Sequence, residues 1–135
     1  MPSELRNSLI VPAALAGVAV GATVVTLEFS VLFFSEPEQP SQFWILPAFW
    51  IGALLVFLMG FVFFGVPAWF AAHAFNRHHW YDAVLIGAVL TGGVEFLWSL
   101  LTEADWINAV KTAAAIGLGG AASGLTIWWI VYRKR

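Results

Sequence analysis

Cysteine is absent from this sequence of 135 residues, and charged residues make up only 10% of it. The absence of cysteine excludes a disulfide framework, thiolate metal ligands and thiol redox chemistry. The low charge content excludes a soluble globular domain, because such domains carry about 25% charged residues. Nucleic-acid binding needs a basic face, whereas the formal net charge here is −2, so no nucleic-acid partner is expected.

Apolar residues make up 61% of the chain and fall into four long stretches. A helix needs about 20 residues to cross a hydrocarbon layer about 30 Å thick, since each residue rises about 1.5 Å. The stretches predict an all-α integral membrane protein with transmembrane helices at residues 9–34, 43–75, 83–101 and 106–132. Short connections make consecutive helices antiparallel neighbours, so residues 1–135 are expected to form one up-down four-helix bundle.

The distribution of charge predicts the orientation of these helices. Basic residues lie before the first helix, in the second connection and after the fourth helix: Arg6, Arg77, Arg133, Lys134 and Arg135. The first and third connections carry only acidic charges: Glu36, Glu38, Glu103 and Asp105. Cytoplasmic loops are enriched in Lys and Arg. The N and C termini are therefore expected in the cytoplasm, with the chain in a plasma membrane of the bacterial inner-membrane type.

The first stretch has a second interpretation as a secretory signal peptide. Arg6 precedes an apolar run that reaches the small residues Gly21 and Ala22, as in a cleavable leader. However, the run continues to Leu27, and Glu4 offsets the charge of Arg6. An uncleaved first helix is therefore favoured.

Three ionisable residues fall inside the predicted spans. Glu28 and Glu95 each lie about 10 Å below the outer boundary, and Lys111 lies about 8 Å below it. Charges at such depth normally face the bundle interior and pair, which predicts a polar cluster of the three. The cluster is interpreted as an ion-paired clasp or as a proton or ion site. Snorkelling of Glu28 and Lys111 to the headgroups, without mutual contact, is a further alternative.

Basic and histidine residues gather at the cytoplasmic end of the second span. His73, Arg77, His78 and His79 lie within seven residues, and Arg133, Lys134 and Arg135 are expected on the same side. Such clusters favour anionic lipid headgroups, so Arg77, His78, His79 and Arg133–Arg135 are predicted to contact lipid. A metal or haem ligand at His73 is the weaker alternative, since no second buried His accompanies it, and no metal or cofactor is predicted.

Small residues at four-residue spacing predict which helices pack tightly. The lines are Ala13, Gly17 and Gly21 in the first span, Gly87 and Thr91 in the third, and Ala115, Gly119 and Ser123, with Gly120 and Gly124 beside them, in the fourth. The second span carries bulky aromatic residues instead, which indicates a surface facing lipid or a partner.

Local signals predict a bend and two helix starts. Pro67 is expected to bend the second helix. Asp82 is interpreted as the N-cap of the third helix. Thr102 and Asp105 match a capping box ahead of the fourth.

No nucleophile, metal set or oxyanion device accompanies the intramembrane charges, so the chain is not expected to be an enzyme. The first hypothesis is a non-enzymatic multi-pass membrane protein, an accessory or scaffold subunit of a larger membrane complex or a small homo-oligomer. The alternative is a small proton- or ion-coupled transporter or channel that uses Glu28 and Glu95.

Overall fold

The computed structural model describes residues 9–34, 44–75, 79–102 and 105–132. Within these ranges every regular element is a helix, which confirms the all-helical prediction. The helices are α1 (Ile10–Phe34), α2 (Ile45–Ala74), α3 (Trp80–Thr102) and α4 (Trp106–Tyr132). Helix α2 consists of an α-helix over Ile45–Gly60, a π-helical turn over Phe61–Gly65 and an α-helix over Val66–Ala74. These bounds differ from the predicted ones by at most three residues.

All four helices are long and apolar enough to cross a membrane. Bulky apolar side chains lie on the outside, as at Leu101, which is 83% exposed. Most buried side chains are small: Ala13, Ala22, Ser99, Ala109 and Ser123. In water such a surface would be a very large apolar patch, whereas in lipid it costs nothing. The distribution is typical of a membrane protein.

Helices α3 and α4 share the most extensive contact in the molecule. A Cβ atom added to Gly87 would overlap the carbonyl oxygen of Gly120, and one added to Gly124 would overlap that of Ala83. Thr91 Oγ1 lies 2.9 Å from Gly87 O in its own helix and 3.2 Å from Ile116 O in α4, and its single hydroxyl proton is shared between these two carbonyls. Because no Cβ separates the backbones, the two helices are in direct main-chain contact.

A second row of small residues on α4, which includes Gly119 and Ser123, packs against α1. Gly17 lies against the Ser123 carbonyl and Gly21 against that of Gly119. The Phe57 ring of α2 contacts both Gly21 and Gly119 and is buried with Val18 and Ala22. Helices α1, α3 and α4 therefore form the closely packed unit that the small-residue lines predict.

Helix α2 is attached chiefly to α1. The Phe29 and Phe49 rings stack with centroids 4.1 Å apart, and Trp50 Nε1 donates to Thr23 Oγ1 at 3.1 Å. Its main contact with α3 is made through the π-helical turn. This turn lies directly before Pro67, which has no N–H to donate and whose ring would clash with the carbonyl four residues back. Val66 N–H instead donates to Phe61 O, five residues back, so the expected bend takes the form of a widened turn.

The start of α4 is where the sequence predicts it, but the cap differs. Asp105 Oδ1 accepts from Ile107 N–H at 3.0 Å, so Asp105 itself is the N-cap. Thr102 belongs to the end of α3, where its hydroxyl donates to Trp98 O at 3.0 Å. The predicted capping box is therefore wrong, because one aspartate already satisfies an orphan donor of the first turn.

The interpretation of Asp82 as an N-cap is also wrong. Helix α3 begins at Trp80, and Asp82 N–H donates to His79 O at 3.1 Å within its first turn. A carboxylate in this position still interacts favourably with the positive end of the helix dipole. Asp82 is buried, whereas an N-cap aspartate at a membrane surface would be expected in contact with water.

Candidate intramembrane site

Helices α2, α3 and α4 border a partly open cavity of about 260 Å³. It exists because α2 packs on α1 and contacts α3 mainly by its π-helical turn, so α2 stays apart from the α3–α4 pair. We call this space the α2–α3–α4 cavity. Its walls are mostly apolar, and the polar groups that enter it are few.

One wall of the cavity is a pair of four-residue rows on α3. Side chains four residues apart form continuous ridges on a helix. The rows consist of Asp82, Ile86, Leu90 and Val94, and of Ala83, Gly87, Thr91 and Glu95. The cavity therefore has one carboxylate at the first turn of α3 and a second one about 20 Å along the helix.

The opposite walls carry aromatic rings. Those from α2 are Phe57, Phe61, Phe64 and Trp69, and those from α4 are Trp128 and Tyr132. His79 lies at the same end as Asp82, and its ring stacks on Tyr81 with centroids 5.0 Å apart. No lysine or arginine within the described residues lines the cavity.

Glu95 reaches this cavity from the end of the α3 wall that is farthest from Asp82. Its Oε1 accepts a hydrogen bond from Ser99 Oγ at 3.1 Å, and Ser99 is only 1% exposed. Ser99 is one turn along the same helix, so the bond holds the carboxylate against α3. This bond occupies one of the two carboxylate oxygens.

Glu28 lies in α1 and is not part of the cavity wall. Its Oε2 is buried and has no hydrogen-bond partner among the described residues. Gly21 faces Gly119, and continuing that antiparallel register by seven residues places Glu28 level with Thr112. Thr91 faces Ile116 across the α3–α4 contact, and continuing by four places Glu95 at the same level. The equal depth predicted for the two carboxylates agrees with these registers.

Lys111 is placed differently from the sequence prediction. Its side chain is exposed on the outer face of α4, in line with Leu118 and Leu125 at seven-residue spacing. Among the residues described, no ion pair within 4.0 Å joins it to Glu28 or Glu95. Successive residues on a helix are rotated by about 100° about its axis. Lys111 therefore points outward, although the adjacent Thr112 is level with both carboxylates. Lys111 therefore does not form the predicted clasp among the described residues, and the buried Oε2 of Glu28 does not fit snorkelling of that residue.

Most of the predicted lipid-contact residues lie outside the described ranges. These are Arg77, His78, Arg133, Lys134 and Arg135. His79 is described, and it is exposed beside the cavity. The side chain of His73 is likewise not described. Over the part of the chain that the structure describes, no group of three His, Asp or Glu residues is arranged to hold a metal ion.

Sequence reasoning missed two members of this site. The sequence indicates a helix cap at Asp82, although Asp82 lies four residues ahead of Ile86 on the same ridge as Val94, a signal that the sequence contains. The aromatic residues of α2, Phe57 among them, are expected on a surface facing lipid or a partner, whereas Phe57 lines the cavity. Nothing in its sequence context separates it from Phe63, because both lie in an uninterrupted apolar run.

Comparisons with protein families, with characterised proteins and with solved structures find no match to this chain. The chemistry of the site must therefore be argued from its own residues. A carboxylate in an apolar cavity can bind a cation or carry a proton, since either one offsets the cost of burying its charge.

Proposed function

We propose that this chain is a small, non-enzymatic, proton- or ion-coupled transporter in a bacterial inner membrane. The observation that carries the proposal is the position of Glu95, which lines a cavity between apolar helices at the level of Glu28. Both carboxylates lie in helices of membrane-spanning length. An ionisable residue inside a membrane is a functional candidate by default, because it is expensive to keep there.

The cost of keeping a charge inside the membrane favours a functional role over a purely structural one for the two carboxylates. A charged residue inside a spanning helix costs up to roughly 2.5–3.5 kcal/mol on insertion scales, the value that applies at the helix centre. A clasp would offset this cost with a permanent counter-ion, but Lys111 is directed away from both carboxylates. A proton or a cation offsets the cost of the buried charge only while it is bound to the carboxylate. Alternation between the two states is the basis of coupling in transporters whose sites lie inside the membrane.

The proposal predicts flux that depends on both carboxylates. Purified wild-type protein in proteoliposomes is expected to dissipate an imposed proton or cation gradient, and Glu95→Gln and Glu28→Gln are each expected to abolish this flux. Glutamine keeps the shape of the side chain and removes its charge, so the fold is retained. Gradient-sensitive dyes inside the vesicles measure the rate.

Lys111→Gln is the matched control, because it also replaces an intramembrane charge by glutamine but on the outward face of α4. Its flux is expected to equal that of the wild type. Equal flux in the Glu95→Gln and Glu28→Gln variants would contradict the proposal.

The proposed orientation, with both termini cytoplasmic, has its own test. The chain contains no cysteine, so single-cysteine variants give an unambiguous signal. In intact cells, a membrane-impermeant thiol reagent is expected to label Glu38→Cys and to leave His78→Cys unlabelled, because the basic connection faces the cytoplasm. Labelling of His78→Cys alone would show the opposite orientation. In the proposed one, Arg77, His78, His79 and Arg133–Arg135 lie at the anionic headgroups of the cytoplasmic face.

A second candidate is an accessory or scaffold subunit, or a small homo-oligomer. One observation favours it: the small-residue faces of α1, α3 and α4 are occupied within the chain, while α2 presents large exposed side chains such as Leu55, Met59 and Phe63. Lateral association would then use α2. A stable partner that co-purifies from native membranes, together with no flux by the wild-type protein, would select this candidate.

A further inference from the structure

We infer that the α2–α3–α4 cavity binds an amphiphilic organic cation, of the class of aryl- or alkyl-substituted quaternary ammonium compounds. The inference rests on the proposed transport function, for which it names the substrate class. Binding itself needs only the cavity, so the two ideas can fail separately.

Charge complementarity is the first argument. Asp82 and Glu95 both line the cavity, and neither lysine nor arginine within the described residues enters it. The imidazole of His79 is the one other titratable side chain, besides the Tyr132 phenol, on the described wall, and it lies at the Asp82 end. Near Glu95, the formal charge that the described wall presents to a cation is therefore negative. A neutral acyl chain in the same place would desolvate the carboxylate without offsetting its charge.

The aromatic walls are the second argument. Rings from α2 and α4 face the acidic α3 wall across the cavity, among them Phe61, Trp69 and Trp128. The faces of aromatic rings attract cations, and quaternary ammonium groups are commonly bound in cages of such rings. Because an ammonium with alkyl or aryl substituents carries its charge on an apolar surface, it suits both kinds of wall. A hydrated inorganic cation would use the carboxylates but not the rings.

The volume of the cavity, about 260 Å³, suits a small molecule. Small-molecule pockets begin at about 300 Å³, which is close to the observed volume. The occupant that we infer is therefore a small molecule.

Binding of radiolabelled benzyltrimethylammonium to the purified full chain in detergent tests the inference. Saturable binding is expected, and neopentylbenzene, the uncharged isostere in which carbon replaces nitrogen, is expected not to compete. Glu95→Gln is expected to weaken binding at least about tenfold, because the carboxylate at this end of the described cavity wall loses its negative charge. Lys111→Gln is the matched control, since Lys111 is exposed on the outer face of α4 and does not line the cavity, and it is expected to bind as the wild type does.

A second pair of variants tests the location without changing any charge. Gly60 lines the cavity, and a Cβ placed on it meets no atom within 4 Å. Gly60→Leu is therefore expected to fill the cavity and abolish binding while the protein still folds. Gly52, in the same helix, also has open space at its Cβ position but is not part of the wall, so Gly52→Leu is expected to bind normally.

The outcomes distinguish this inference from the proposed function. Equal binding of the cation by the wild type, Glu95→Gln and Gly60→Leu, or displacement by neopentylbenzene, overturns the inference, and proton flux in vesicles then leaves the transport proposal intact. Specific binding by the wild type without any flux supports the site and overturns transport. Loss of binding in Lys111→Gln equal to that in Glu95→Gln would place the cation outside this cavity.

Discussion

Gly87→Ala is expected to destabilise the protein strongly, although it adds only one methyl group. The new methyl group would overlap the carbonyl oxygen of Gly120, and a helix backbone cannot move aside locally as a flexible side chain does. The α3–α4 pair must separate along its whole contact, which also stretches the hydrogen bond from Thr91 to Ile116 O. Overpacking costs about 1–3 kcal/mol, and we expect the upper end of that range, a fall in Tm of roughly 10 °C. Thermal unfolding in detergent measures it.

Gly93→Ala is the matched control for this prediction. It is the same substitution in the same helix, but a Cβ on Gly93 meets no atom within 4 Å. Since alanine favours a helix over glycine by up to about 1 kcal/mol, Gly93→Ala is expected to unfold at an unchanged or slightly higher temperature. A Tm for Gly87→Ala equal to that of the wild type would contradict direct backbone contact between α3 and α4.

The sequence predicts those features of the fold that depend on depth in the membrane and on residue spacing along one helix. Long apolar runs identify the four helices because a bilayer imposes a minimum length. Four-residue lines of small residues, as at Gly17 and Gly21, identify the packed faces because they alone allow backbones to approach. The equal level of Glu28 and Glu95 follows from counting residues, and the observed helix registers agree with it.

The sequence does not predict the direction in which a given residue points relative to its neighbours. Lys111 has the right depth for an ion pair, yet one residue of rotation turns it out of the bundle. Phe57 is one of several aromatic residues in α2, and its burial depends on the two glycines, Gly21 and Gly119, that two other helices bring to it. Such contacts are set by the assembly of the helices and leave no periodic signal in the sequence.

The cavity likewise arises from a relation between helices. Glycine packing draws α1, α3 and α4 together, while the bulky side chains of α2 prevent an equally close approach to α3. Pro67 adds a widened π-helical turn, and this turn is where α2 meets α3. The space that remains is lined by residues from three helices, so its volume depends on how α2 is held against α1 and α4.

Phe57→Ala is therefore expected to have the second large effect on stability. The ring is 9% exposed and fills the space between Gly21 and Gly119. Neither glycine has a side chain that can move in to fill the gap, so the void persists. Replacement of a buried phenylalanine by alanine costs about 3–5 kcal/mol, and we expect a fall in Tm of more than about 10 °C in detergent.

Phe63→Ala separates the loss of packing from the loss of an aromatic residue. Phe63 lies in the same helix but is 62% exposed, and a side chain in contact with lipid loses little when it is shortened, because lipid fills the space. Its Tm is expected to remain close to that of the wild type. If both substitutions lowered the Tm equally, α2 would be held by its outer surface, and the contact with Gly21 and Gly119 would not be what positions the wall of the cavity. If only Phe57→Ala lowers it, that single ring links α2 to α1 and α4 and thereby sets the width of the space that Glu95 enters.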